Sequence, residues 1–149
     1  MKLNRRQFFI GASGALAFAS TPYLLKAAGI ASEKPIRVAN ILDKTGILNI
    51  YSLKQIQATA MAVDEINSTG GLLGRPVELF FYDSQSDGQY NSKYVTEALV
   101  KDSVNVIHGG ITSSSREVMR PIVSRFKGLL FYNSLYEGGV CDRRHVSTG

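Results

Sequence analysis

Apolar positions along the chain switch repeatedly between short continuous runs and helical spacing, and that succession predicts the fold. Ile36 to Leu42 is an aliphatic run introduced by Lys34-Pro35 and closed by Asp43-Lys44-Thr45-Gly46, which predicts a strand and its turn. From about Tyr51 to Asn67 the pattern is helical, with Leu53, Ile56, Ala60 and Val63 on one face and Lys54, Gln57, Asp64 and Glu65 elsewhere. Ser68-Thr69-Gly70-Gly71 ends that helix, and Gly74-Arg75-Pro76 introduces a second strand from Val77 to Tyr82. A polar loop, Asp83 to Gly88, precedes a helix over Gln89 to Lys101 whose Tyr94, Val95, Ala98 and Leu99 face a sheet. Val104 to Ile107 predicts a third strand, bounded by Gly109-Gly110. Val118, Met119, Ile122, Val123 and Phe126 mark a third helix, with Pro121 expected to kink it by removing a donor and crowding the preceding turn. Leu129 to Tyr132, after Gly128, is the fourth strand, and Val146 to Gly149 starts like another.

This β-α-β-α-β-α-β alternation implies an α/β fold with a doubly wound parallel sheet. Sheets of that kind bind ligands beyond the carboxyl ends of their strands, where the crossover loops gather. Two hydroxyl-rich loops fall at such ends. The first holds Thr112, Ser113, Ser114 and Ser115, one of which caps the third helix, while four in a row exceed what a cap needs. Hydroxyls both donate and accept, and with the N–H groups of a helix start they suit a carboxylate or an amide carbonyl. The second loop, Asn133-Ser134-Leu135-Tyr136, follows the fourth strand, and Tyr132 and Tyr136 offer aromatic walls with a polar tip. Core packing is the competing reading for Tyr132, and a half-buried surface position for Tyr136. Ser52 and Asp43 flank the carboxyl end of the first strand, but Asp43 reads first as a turn residue, so the candidate ligand-binding set is Thr112, Ser113, Ser114, Tyr132, Ser134, Tyr136 and Ser52.

Charge changes meaning once the first residues are set apart. The 149-residue chain carries 17 basic and 12 acidic side chains, for a formal charge of +5. Lys2, Arg5, Arg6 and Lys26 lie in residues 1–31, which hold no acid, so the remainder is nearly neutral. A basic patch on a folded domain, the footprint of nucleic-acid binding, is therefore not expected. Residues 1–31 combine a positive start, an apolar Gly/Ala-rich run from Phe8 to Leu25 and a small-residue exit around Ala27 to Ala31, which together define an export signal. Arg5-Arg6 followed by Gln7-Phe8-Phe9 resembles the twin-arginine type. A single membrane anchor is the alternative, but the Gly, Ser and Ala content makes a poor span. About 118 residues then remain, sufficient for one small core.

Catalytic motifs are scarce. His108-Gly109-Gly110 resembles the oxyanion-loop glycines of esterases, yet no G-x-S-x-G elbow, H-E-x-x-H, Cys/His cluster or P-loop occurs in the sequence. No cofactor or metal is called for. Cys141 is the sole cysteine and cannot form a disulfide within the chain.

Three segments carry a family resemblance: AVDEINSTGGLLGRPVEL (Ala62 to Leu79), GGITSSSREVMRP (Gly109 to Pro121) and LLFYNSLYEGG (Leu129 to Gly139). Together they resemble the type I periplasmic solute-binding proteins of ABC transporters, in the branch handling branched-chain amino acids, urea and short-chain amides. The Tyr-Glu-Gly of the last segment is closest to the urea and amide binders. Ile111 and Asn133 depart from those, which carry an aromatic and a proline there. The resemblance implies a non-catalytic receptor of two hinged lobes, of which residues 32–149 form the first lobe only. It implies a small polar solute as ligand, an ABC transporter permease as partner and a periplasmic location, with membrane contact only through the signal and the permease. Carried over, the ligand's polar head falls to Ser113, Tyr132 and Ser134. We expect the array of strands to be cut off at residue 149; a complete small flavodoxin-like domain is the alternative. Two other functions stay open: a ligand sensor of the same fold acting on a partner protein in the cytoplasm, and a small serine hydrolase dependent on Ser113.

Overall fold

A computed structural model describes residues 34–134 and 138–148. The predicted export signal lies outside these residues. The elements are β1 (Ile36–Leu42), α1 (Asn49–Ser68), β2 (Val77–Asp83), α2 (Gly88–Val100), β3 (Val106–Gly109), α3 (Ser113–Arg125), β4 (Leu129–Tyr132) and β5 (His145–Ser147). The strands form one parallel sheet in the order β2-β1-β3-β4-β5. The chain thus winds outward from β1 in both directions, as the alternating pattern predicts, and the point where the order reverses lies between β1 and β3.

Side-chain alternation divides the sheet into two faces. On one, Ala39 and Ile41 of β1, Ile107 of β3 and Leu130 of β4 meet Val95 and Ala98 of α2 and Met119 and Val123 of α3 in one buried cluster. Tyr94, Leu99 and Ile122 pack against its margin. The other face carries α1, whose Thr59 hydroxyl reaches His108 of β3. Here the sequence pattern misplaces the helix face. Leu53 is 41 % exposed and Ala60 is exposed as well, while Ser52 is fully buried and Gln55, Ile56, Thr59 and Val63 are half-buried. A small hydroxyl lets α1 approach the tip of β1 closely, so the helix is rotated from the orientation its largest aliphatics suggest. Phe126, expected on the inner face of the third helix, sits at its C-terminal end and is 43 % exposed. Pro121 lies within α3, which runs on through it to Arg125.

The third strand begins two residues later than its apolar run, at Val106, and extends through Gly109. Gly109 belongs to the strand because β1 lies against it: a Cβ there would stand 2.1 Å from the carbonyl oxygen of Ile41. The obstruction is backbone and cannot rotate away. Gly109→Ala should therefore destabilise the chain by about 3 kcal/mol, at the upper end of overpacking costs. A Cβ at Gly88 meets nothing nearer than Val118 Cγ2 at 3.8 Å, so Gly88→Ala is the matched control and should be neutral or stabilising in chemical denaturation.

Candidate functional site

The carboxyl ends of β1 and β2 and the start of α1 are joined by a polar lattice. Asp43, just past β1, is 4 % exposed; its carboxylate accepts the Ser84 hydroxyl and, at 2.8 Å, the Ser86 hydroxyl. Its own N–H donates to the Ser52 hydroxyl oxygen (3.2 Å). Ser86 Oγ in turn accepts the Leu48 N–H at 3.1 Å, fixing the residue that precedes α1. Asp83, at the end of β2, gathers the turn after β1: it accepts the N–H groups of Lys44 (2.9 Å), Thr45 (3.1 Å) and Gln85 (3.2 Å) and the Thr45 hydroxyl (2.8 Å).

The hydroxyl-rich loop after β3 is built by helix capping. Thr112 is the N-cap of α3, its hydroxyl accepting the Ser115 N–H, while the Ser115 hydroxyl oxygen accepts the Thr112 N–H in return. This reciprocal box satisfies two donors that a helix start leaves over. Ser114 is exposed and shares a hydrogen bond with Thr112 (2.8 Å). Gly110, at φ +84°, turns the chain out of the strand in a conformation that favours glycine. Tyr132 donates to the Ile111 carbonyl at 3.2 Å, and Ser134 to the Gly110 carbonyl at 3.4 Å, so β4 and the loop beyond it hold the β3 loop.

Two concavities open on this lattice. An outer pocket of about 450 Å³ is lined by Leu48, Tyr51, Gln55, Ile111, Thr112, Asn133 and Ser134. An inner chamber of about 240 Å³ shares Leu48, Ile111 and Thr112 with it and continues to Asp43, Ser84, Ser86, Asn91 and Ser114. Asn133 on the outer rim is oriented by His108. Burial holds His108 below its ordinary pKa, so the ring is neutral at pH 7. The Thr59 hydroxyl donates to the Gln55 carbonyl and is left to accept from His108 Nδ1, 3.4 Å away. Nε2 then accepts the Asn133 amide N–H (2.5 Å), and Asn133 Oδ1 accepts the Thr148 hydroxyl (2.6 Å).

The structure brings together only part of the expected set. Thr112 and Ser134 line the outer pocket, and Thr112 and Ser114 the chamber. Ser113 is the first residue of α3 and lines neither concavity. Tyr132 is fully buried, with the Arg116 guanidinium 5.0 Å above its ring, and acts on the loop from within the core. Ser52 is likewise fully buried and braces Asp43. Tyr136 lies outside the described residues. Leu48, Tyr51 and Gln55 were not among the expected residues, although Tyr51 opens the first helical pattern directly after the β1 turn, a placement that points to the same rim. Asp43 exceeds the turn role that competed for it. Among the described residues no cluster of three or more His, Cys, Asp or Glu side chains could hold a metal ion, and no helix is long and apolar enough to cross a membrane.

A pocket over the strand tips, at the switch point of a doubly wound sheet, lies where α/β folds of this class carry their binding sites. Residues 36–149 match the family model of the periplasmic binding protein domain, and the chain belongs to that family. Among solved structures it is similar to the branched-chain amino acid transporter substrate-binding protein LivJ from Streptococcus pneumoniae, determined in complex with isoleucine (23 % identity over 70 % of this chain and 30 % of that one, TM-score 0.67). It is also similar to the leucine-binding protein LivK from Thermotoga maritima (24 %, covering 65 % and 27 %, TM-score 0.60). A third is an ABC-type branched-chain amino acid transporter from Rhodopseudomonas palustris (25 %, covering 76 % and 32 %, TM-score 0.62). The chain therefore spans about 30 % of the length of the LivJ structure.

The lattice is acid-sensitive in a defined way. Burial works to raise the pKa of Asp83, but the N–H groups of Thr45, Gln85 and Lys44 and the Thr45 hydroxyl overcome it and hold the carboxyl below its ordinary value. A depressed folded pKa stabilises fully above the unfolded value, about 3.9, and that contribution is lost as pH falls through the lower folded value. Wild type and Asp83→Asn should therefore differ most in denaturation midpoint at about pH 5 and converge towards about pH 2. A constant gap across that window would show that Asp83 does not hold the turn through its charge.

Proposed function

We propose that this chain is the first lobe of the substrate-binding component of an ABC importer, and that it takes a branched-chain amino acid. The outer pocket carries this reading. Thr112, the N-cap of α3, is among its lining residues, so the positive end of that helix favours a carboxylate there. Its sides, Leu48, Tyr51 and Ile111, suit a branched aliphatic side chain. The solved structures similar to it, with isoleucine and leucine in their names, support the same class of ligand. Urea or a short amide is the second reading, favoured by the segment Leu129 to Gly139 and its likeness to the binders of those solutes. The function is binding without turnover, in keeping with a family of solute-binding proteins.

Titration calorimetry with isoleucine, leucine, urea and acetamide separates these ligands. Isoleucine or leucine should give saturable heat, and Tyr51→Ala, at an exposed position, should weaken binding about tenfold without loss of fold. Heat from urea or acetamide alone would replace the amino acid by the second reading, and no heat from any of the four would overturn the ligand class.

Residues 1–31 fit a twin-arginine export signal, with the permease met in the periplasm and residues 32–149 left as the lobe. Replacing Arg5 and Arg6 together by lysine should leave the chain in the cytoplasm on fractionation. Unchanged export would refute the twin-arginine route, and a wild-type chain found intact in the cytoplasm would favour a sensor.

A further inference from the structure

The pole of the sheet opposite the cleft has a surface chemistry of its own. In a parallel sheet each helix-to-strand connection returns to the amino ends of the strands, so three of them gather at that pole. Each presents an exposed apolar side chain with a base close by in sequence: Leu72 and Leu73 with Arg75, Val100 with Lys101, and Phe126 and Leu129 with Lys127. Leu73 is 88 % exposed and Val100 59 %, so these side chains contribute little to the core.

The charge on this pole is uneven. Lys101 is paired with Glu97 (2.8 Å) and Arg37 with Glu78 (3.0 Å), which neutralises much of the side near β1 and β2. Around the turn from α3 to β4 the balance differs. Arg125, Lys127, Arg143 and Arg144 make no ion pair among the described residues. The Arg144 guanidinium donates to the Lys127 carbonyl (2.7 Å), and that of Arg125 stands 6.0 Å from the centre of the Phe126 ring. The Leu130 N–H donates to the Arg144 carbonyl (2.8 Å), which brings Leu129 to the same patch. Asp142, the neighbouring acid, is committed to Arg120, the Ser124 hydroxyl and the Arg144 N–H. The carboxyl end of α3 adds about half a negative charge, and four cations outweigh it and Asp142 together.

We infer that this pole is a membrane-docking surface, on which Phe126 and Leu129 enter the headgroup layer of an anionic bilayer while the bases around them meet its acidic headgroups. The mixture of side chains selects that partner. Cations alone would suit a nucleic acid or an acidic peptide, whereas apolar groups among cations suit a boundary that is anionic outside and hydrocarbon within. The basic stems can lie along that boundary with their charges among the headgroups. The apolar groups stand on separate turns, so a fluid surface receives each one where a folded partner would need a matched set of pockets. This contact is additional to the signal and the permease, and it leaves the cleft at the other ends of the strands open.

The chain contains no tryptophan, so a single introduced one reports on a single place. Phe126→Trp in the full chain, mixed with vesicles of equal parts phosphatidylglycerol and phosphatidylcholine, should shift its emission to the blue and be quenched by brominated lipid. Ile50→Trp, exposed at the start of α1 on the cleft side, should show neither, which separates docking from mere tethering by residues 1–31. Replacing Arg125 and Lys127 by glutamine in the Phe126→Trp chain should weaken partitioning about tenfold or more. Its denaturation midpoint shows that it folds, and added salt should weaken the unaltered patch in the same direction without any charge substitution. An equal shift on pure phosphatidylcholine would overturn the anionic partner. Equal quenching at both tryptophan positions, or none at Phe126→Trp, would overturn the surface. A blue shift that follows protein concentration rather than lipid would assign the patch to a second copy of the chain and overturn the membrane.

Discussion

Asp43 ties the strand tips together, and the rest of the site depends on that tie. Its carboxylate takes two hydroxyls from the loop after β2, and its N–H is held by a buried serine of α1. Through Ser86 the tie reaches Leu48, and so sets where α1 begins, although that helix has no side-chain cap of its own. A buried carboxylate is tolerable only when its acceptors are matched, and here matching them is what brings β1, α1 and the β2 loop into one rim. The outer pocket and the inner chamber are the two sides of that rim, meeting at Leu48, Ile111 and Thr112.

The β3 loop is positioned by different means. Gly109 permits β1 to lie against β3 at backbone distance, and Gly110 then turns the chain towards the cap of α3. From below, Tyr132 holds the carbonyl of Ile111, so a core residue sets the height of a loop that lines the pocket. Neutral His108 orients Asn133 from the opposite face of the sheet, under α1. The pocket is therefore supported from both sheet faces, and a change in either layer should be felt at its rim.

Much of this was legible in the residues. The alternation of runs and helical spacing determined the α/β class, the order of elements and the parallel sheet, because burial on two sheet faces demands continuous apolar strands and one-sided helices. The strand-end loops were legible as candidate sites for the same reason: crossover topology places them together whatever their composition. Capping was legible in part: one of Thr112 to Ser115 was expected to cap the third helix, and the structure makes Thr112 that residue, in a capping box with Ser115. The match to the periplasmic binding protein domain runs over the same residues, 36–149.

Tertiary structure decided which side chains reach the cleft. Tyr132 reads as an aromatic wall until the register Tyr132↔Ser147 and the packing of α3 put its ring in the core. Ser52 reads as a rim hydroxyl until α1 docks on it rather than on Leu53, a choice made by how closely a small side chain lets helix and strand approach. Asp43 and Asn91 are 48 residues apart in the sequence, and no local pattern connects them; only the packing of α2 beside the β1 tip sets both on one chamber. Periodicity is a property of neighbours along the chain and so determines elements and faces. A binding site is a property of neighbours in space, and these residues become neighbours only when the sheet has closed around β1.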